Sequence, residues 1–71
     1  MTLRELWKLF DRGDFVDTAG LKRLLENAEA GESYLEARGE YLALFKTRLD
    51  IDRIKGYLIE RGAVKVPRAR A

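Results

Sequence analysis

The 71-residue chain has no cysteine and no histidine. Without cysteine it has no disulfide staple and no thiolate metal site. Without histidine it lacks the commonest metal ligand and the commonest general base. Its one serine, Ser33, therefore has no histidine to activate it, which excludes a serine-type triad. The six glycines are scattered and form no Gly-x-x-x-x-Gly-Lys phosphate loop. The single proline, Pro67, lies near the end, so nothing breaks a helical pattern before it. No apolar run approaches the ~18 residues of a membrane span. The opening "MTLRELWKLF" carries Arg4, Glu5 and Lys8 among its apolar residues and does not read as a secretory signal. Taken together, these absences predict a non-enzymatic chain with no cofactor and no metal. Its composition suits a reducing cytoplasm.

Charge is abundant but unevenly placed. The formal net charge is +2, yet Lys65, Arg68 and Arg70 fall in the last seven residues. Positions 1–64 hold eleven basic against twelve acidic residues, a net of −1. The expectation is one domain over 1–64 and a basic, flexible tail over 65–71. Electrostatic attraction to nucleic acid would sit in that tail.

The apolar residues recur at helical spacing. Thr2-Leu3-Arg4-Glu5 fits a capping box, a threonine cap with glutamate three residues on. Leu3, Leu6, Trp7 and Phe10 then form one stripe. A second helix starts between Asp14 and Thr18, with Leu21, Leu24, Leu25, Ala28 and Leu35 as its stripe. Small Ala28 and Gly31 mark its middle as a place for another helix to approach. The dipeptide Arg-Gly recurs at 12–13, 38–39 and 61–62, each time at the end of an apolar-periodic segment. Glycine tolerates the left-handed conformation that closes a helix, and arginine suits the negative end of the helix dipole. The predicted helices are 2–11, 16–37 and 40–61. The expected fold is all-α: a short N-terminal helix, then an antiparallel helical hairpin turning near Gly39. The rival is one long helix through Gly39, which glycine would weaken by only about 1 kcal/mol.

The stretch "FDRGDFVDTAG" invites two functional readings, an Arg-Gly-Asp recognition site and a calcium loop. Counting from Asp11, Gly13, Phe15, Val16 and Lys22 fall where such a loop needs oxygen ligands, a glycine and a closing glutamate, so a calcium loop fails. Architecture accounts for the rest: Arg12-Gly13 stops one helix, and Asp14 or Asp17 caps the next.

The third helix carries two apolar stripes. Leu42, Phe45, Leu49, Gly56 and Ile59 share one side at about 100° per residue. Leu44, Ile51, Ile54 and Leu58 share the opposite side. One stripe packs on the second helix. The other needs the first helix, a second subunit or a target protein. A ten-residue helix covers only about 15 Å of a neighbour some 30 Å long. The expectation is thus a homodimer, with either stripe as core or interface. Tyr34 and Tyr41 near the hairpin turn, with Trp7 and Phe10, are candidate partner-binding anchors. Carboxylates such as Glu29, Glu32 and Glu36 read as a solvated face among lysines and arginines. Nucleic-acid binding is the alternative: Lys46, Arg48, Arg53 and Lys55 lie on the third helix, but Asp50 and Asp52 lie among them. The tail residues Lys65, Arg68 and Arg70 could grip phosphates.

From "LRELWKLF" to "YLIERG", the chain resembles the small accessory proteins that temperate bacteriophages make early in infection. In particular it is similar to the phage quorum-sensing anti-activator proteins in length, helical pattern and lack of Cys and His. That resemblance implies a dimeric inhibitor in the host bacterial cytoplasm that binds a transcription activator and blocks its contact with DNA. Proteins of this general sort can also disable pilus assembly. The working expectation is a protein-binding inhibitor or adaptor; a small helical DNA-binding regulator is the alternative.

Overall fold

The computed structural model describes residues 1–63. It contains three helices, α1 (Leu3–Arg12), α2 (Thr18–Arg38) and α3 (Tyr41–Glu60), and no strand among the described residues. The predicted bounds fall within two residues of these. The basic tail with Lys65, Arg68 and Arg70 lies outside the described residues.

Local chemistry sets where each helix begins. The Thr2 hydroxyl accepts from the Glu5 N–H at 3.2 Å, and the Glu5 carboxylate accepts from the Thr2 N–H at 2.7 Å. These reciprocal bonds are the capping box that starts α1. For α2 the cap is Asp17, whose carboxylate accepts from the Gly20 N–H at 2.7 Å. Asp14 instead pairs with Arg12 at 3.0 Å on the surface. α3 begins at Glu40 without a side-chain cap.

All three Arg-Gly dipeptides end helices in the same way. The glycine N–H bonds back to the carbonyl three residues earlier: Gly13 to Phe10, Gly39 to Glu36 and Gly62 to Ile59. The following N–H reaches five residues back: Asp14 to Leu9, Glu40 to Leu35 and Ala63 to Leu58. This is the Schellman closure, and it needs a left-handed residue that glycine adopts without a Cβ clash. The three φ values are 79°, 72° and 70°. Gly39 therefore separates α2 from α3, which rules out one long helix.

α2 and α3 form the hairpin, and α1 folds across its open end. Leu6 and Phe10 of α1, Val16 of the connecting loop, Leu21 and Leu24 of α2, and Ile54 and Leu58 of α3 make one buried cluster. Burying each such side chain contributes about 1.5–3 kcal/mol relative to leaving it exposed. Towards the turn, Ala28, Leu44 and Ile51 are also buried.

The close approach expected at Ala28 and Gly31 is only half right. Ala28 is buried, but a Cβ on Gly31 would meet nothing within 4 Å. The tight position is Gly20, where a Cβ would lie 2.8 Å from Val16 Cγ1 and 2.9 Å from Leu6 Cδ2. There the loop and α1 turn back over the first turn of α2.

Arg61 ties the end of α3 to the α1–α2 loop. Its guanidinium donates to the Val16 carbonyl at 2.5 Å and stacks 4.7 Å from the centre of the Phe15 ring. The arginine just past the end of α3 thus does more than suit a helix dipole: it holds the α1–α2 loop.

Candidate docking surface

α3 has twenty residues and two apolar stripes, and its neighbours cover only one. Leu44, Ile51, Ile54 and Leu58 are buried, and the last two belong to the cluster shared with α1 and α2. On the other side Leu42 is 91% exposed, Phe45 65% and Leu49 47%. Gly56 continues this outer side and is exposed, and Ile59 is half-buried. The two stripes, indistinguishable in role on the sequence, are thus core and surface.

The reason is where α1 lies. Its Leu6 and Phe10 reach Ile54 and Leu58, on the stripe that α2 already covers. α1 therefore deepens one core and leaves the outer side of α3 bare.

Charged side chains border that bare side. Arg48 Nε donates to Glu32 at 2.8 Å, and its Nη2 approaches Glu36 at 3.5 Å. Bonding to Glu32 raises the pKa of Arg48 above its ordinary value. Lys46 pairs with Asp50, one turn on, at 2.7 Å, and the Asp50 side chain is only 12% exposed. The Arg53 guanidinium sits 4.5 Å from the centre of the Phe10 ring. Among the described residues, neither Arg53 nor Lys55 lies within ion-pair distance of a carboxylate.

The four aromatic candidates separate. Tyr34 and Tyr41 are both exposed beside the hairpin turn. Arg38 stacks over Tyr34 at 5.3 Å and pairs with Glu40 at 2.7 Å. Trp7 and Phe10 are elsewhere. Phe10 is 3% exposed and packs edge-on against Trp7 and Tyr57, at 5.6 and 6.1 Å between ring centres. It is a core residue, because the single stripe of α1 must turn inward. Trp7 is half-buried, and its indole N–H donates to Asn27 Oδ1 at 2.8 Å. One exposed aromatic escaped sequence reasoning: Phe15, 75% exposed under Arg61. Nothing in its neighbours Asp14 and Val16 signalled this contact.

Chemical sites are sparse among the described residues. They contain no group of three or more Asp and Glu side chains able to hold a metal ion. Glu32 and Glu36, two of the clustered carboxylates, serve as partners of Arg48. Surface depressions are open; one beside Phe10, Tyr57 and Arg61 measures about 180 Å³ and another beside Leu6, Val16 and Arg23 about 350 Å³. No described helix is long and apolar enough to cross a membrane.

Comparison with protein families, with curated proteins and with solved structures yields no match to this chain.

Proposed function

We propose that the chain is a non-enzymatic inhibitor or adaptor that docks through the outer side of α3 onto a host protein and blocks that protein's working surface. The observation that carries this reading is the bare Leu42–Phe45–Leu49 stripe, on a helix whose opposite stripe is already buried. Clustered apolar surface of this kind is costly to leave in water and marks interaction sites. Tyr41, at the start of the same helix, and Tyr34 add aromatic area with polar tips.

The resemblance to phage quorum-sensing anti-activators makes a host transcription activator the first target to try, with occlusion of its DNA contact as the mode of action. Inhibition of pilus assembly follows the same logic with a different target. A second copy of this chain is the competing occupant of the stripe and would make the homodimer.

DNA binding by α3 is less favoured. Lys46 and Arg48 are already held by carboxylates, and Asp52 stands exposed among them. Nucleic-acid contact would then fall to the tail.

The test compares capture of bacterial host proteins by the wild type and by Phe45→Glu, alongside duplex DNA binding with and without residues 65–71. A protein bound by the wild type and lost with the variant, at unchanged melting temperature, supports the reading. Tight DNA binding at moderate salt that disappears with the tail contradicts it.

A further inference from the structure

The bare stripe of α3 complements itself. Leu42, Phe45 and Leu49 are spaced by three and then four residues, so Phe45 lies near the middle of an apolar stretch about 10 Å long. An antiparallel pair of α3 helices crossing at Phe45 sets Leu42 against Leu49 of the partner subunit and brings the two Phe45 rings together. A two-fold interface asks this of a surface patch, since each part must accept its own counterpart. α2 packs on the opposite stripe, so the two α3 helices meet without obstruction.

Asp52 sets the direction of pairing. It is exposed and continues the three-four repeat after Leu49. A parallel pair places Asp52 against Asp52 of the partner subunit inside the seam, and Arg48 against Arg53 of the partner subunit. Lys55 against Glu60 of the partner subunit is its favourable match. An antiparallel pair centred on Phe45 moves Asp52 beyond the seam, level with Gly39 of the partner subunit and in water. It also sets Tyr41, 70% exposed, between Arg48 and Asp52 of the partner subunit, where the hydroxyl has a carboxylate to donate to. Flanking charges do not oppose this arrangement. Lys46 meets Lys46 of the partner subunit, but each is paired with its own Asp50 at 2.7 Å. Arg48 is held by Glu32 and Glu36 of its own chain.

We infer that in the free chain a second copy covers this stripe, in a weak antiparallel dimer that a target must displace. This rests on the docking reading above and adds the regulation of that surface: the chain keeps the stripe out of water until a target takes it. The weakness follows from area. Phe45, at 65% exposure, still offers roughly 100–160 Å². With Leu42, Leu49 and Tyr41 added, the patch stays below the ~800 Å² that each partner contributes to a standard stable interface. Such a dimer dissociates in the micromolar range or above, which leaves the stripe open to exchange.

Two measurements on the full chain test the inference. Sedimentation equilibrium follows its mass from low micromolar to near-millimolar concentration, for the wild type and for Phe45→Glu. Dipolar electron resonance measures the separation of spin labels on Gly56→Cys, a position where a Cβ meets nothing within 4 Å, in a chain with no other cysteine. The wild type is expected to rise from one chain to two, while Phe45→Glu stays at one. Both should melt alike where both are monomeric. The labels should lie about 30 Å apart along the helix axis; parallel pairing would bring them to about 10 Å. Labels at the shorter distance, or a doubled mass that survives Phe45→Glu, overturn the inference. A single-chain mass at every concentration overturns it too, and leaves the docking reading to the capture experiment. A host protein captured through the stripe should hold one chain; a complex that holds the pair overturns the displacement. A dimer lost with Phe45→Glu, beside host-protein capture that survives the variant, supports the pairing and overturns the docking reading.

Discussion

Leu44 and Phe45 are adjacent in the chain yet lie in different surroundings on α3: Leu44 is 3% exposed and Phe45 65%. One peptide step therefore separates the core from the proposed docking surface. Helix periodicity makes this possible, because successive residues lie about 100° apart. It also lets the two functions be altered independently, since a charge at Phe45 reaches water directly while one at Leu44 would not.

Gly20 should be intolerant of a side chain. A Cβ there would lie within 2.9 Å of Val16 Cγ1, Asp17 Oδ1 and Leu6 Cδ2, so these packed side chains must shift. Gly20→Ala is expected to lower stability by about 1–3 kcal/mol, the usual range for overpacking. Gly31→Ala is the matched control, because its Cβ meets nothing within 4 Å; it should raise stability by about 0.5–1 kcal/mol through helix propensity. Thermal and denaturant melts followed by circular dichroism read both. Equal effects at the two sites would show that Gly20 is not a close-packing position.

Gly13→Ala should cost about 1 kcal/mol, because residue 13 closes α1 with φ 79°. Partner binding should be nearly unchanged, since Arg12 and Asp14 pair with each other at 3.0 Å. Loss of binding at unchanged stability would make Arg12-Gly13-Asp14 a recognition site.

Arg61→Lys should destabilise the α1–α2 loop. The guanidinium both donates to the Val16 carbonyl and stacks on Phe15, and an ammonium offers no planar face for the stack. The expected loss is about 1–2 kcal/mol, with faster hydrogen exchange at loop amides of residues 14–17. Unchanged exchange would show that Arg61 does not hold the loop.

The capping box of α1 should weaken in acid. Hydrogen bonds from Thr2, first its backbone N–H and then its side chain, hold the Glu5 carboxyl below its ordinary value of 4.5. A carboxyl lowered on folding binds protons more readily when unfolded, so stability rises with pH across that range. The contribution is complete above the ordinary glutamate value and is lost as pH falls through the lowered folded value. Melting temperatures measured through that range should fall less steeply in Glu5→Gln than in the wild type. Identical slopes would remove Glu5 from the acid response.

The features legible in the sequence are those that neighbouring residues set for themselves. Thr2 and Glu5 are three residues apart, and each Arg-Gly stop is closed by carbonyls of its own helix. The direction of the hairpin followed from Gly39. Features created when distant segments meet were not legible. Leu42 and Leu44 are the same residue type, and only the packing of α2 against the Leu44 side of α3 made that stripe the core. Phe10 read as an anchor because aromatic character does not reveal whether its helix face turns inward. The crowding at Gly20 depends on Leu6 and Val16, and the contact of Arg61 with Val16 joins residues 45 apart in sequence. The bare stripe of α3 was nevertheless foreseeable, because two apolar stripes exceed what a short α1 can cover.

The most direct test of the docking surface is target binding by Phe45→Glu and by Ile54→Asp, measured with their melting curves. Ile54 is fully buried, and an unpaired charge there is strongly unfavourable, so Ile54→Asp should unfold the chain and lose binding as a consequence. Phe45→Glu should melt like the wild type and still lose binding by a factor of about thirty or more, as expected for an anchor contributing about 2 kcal/mol. Full target binding by a folded Phe45→Glu variant would contradict the account.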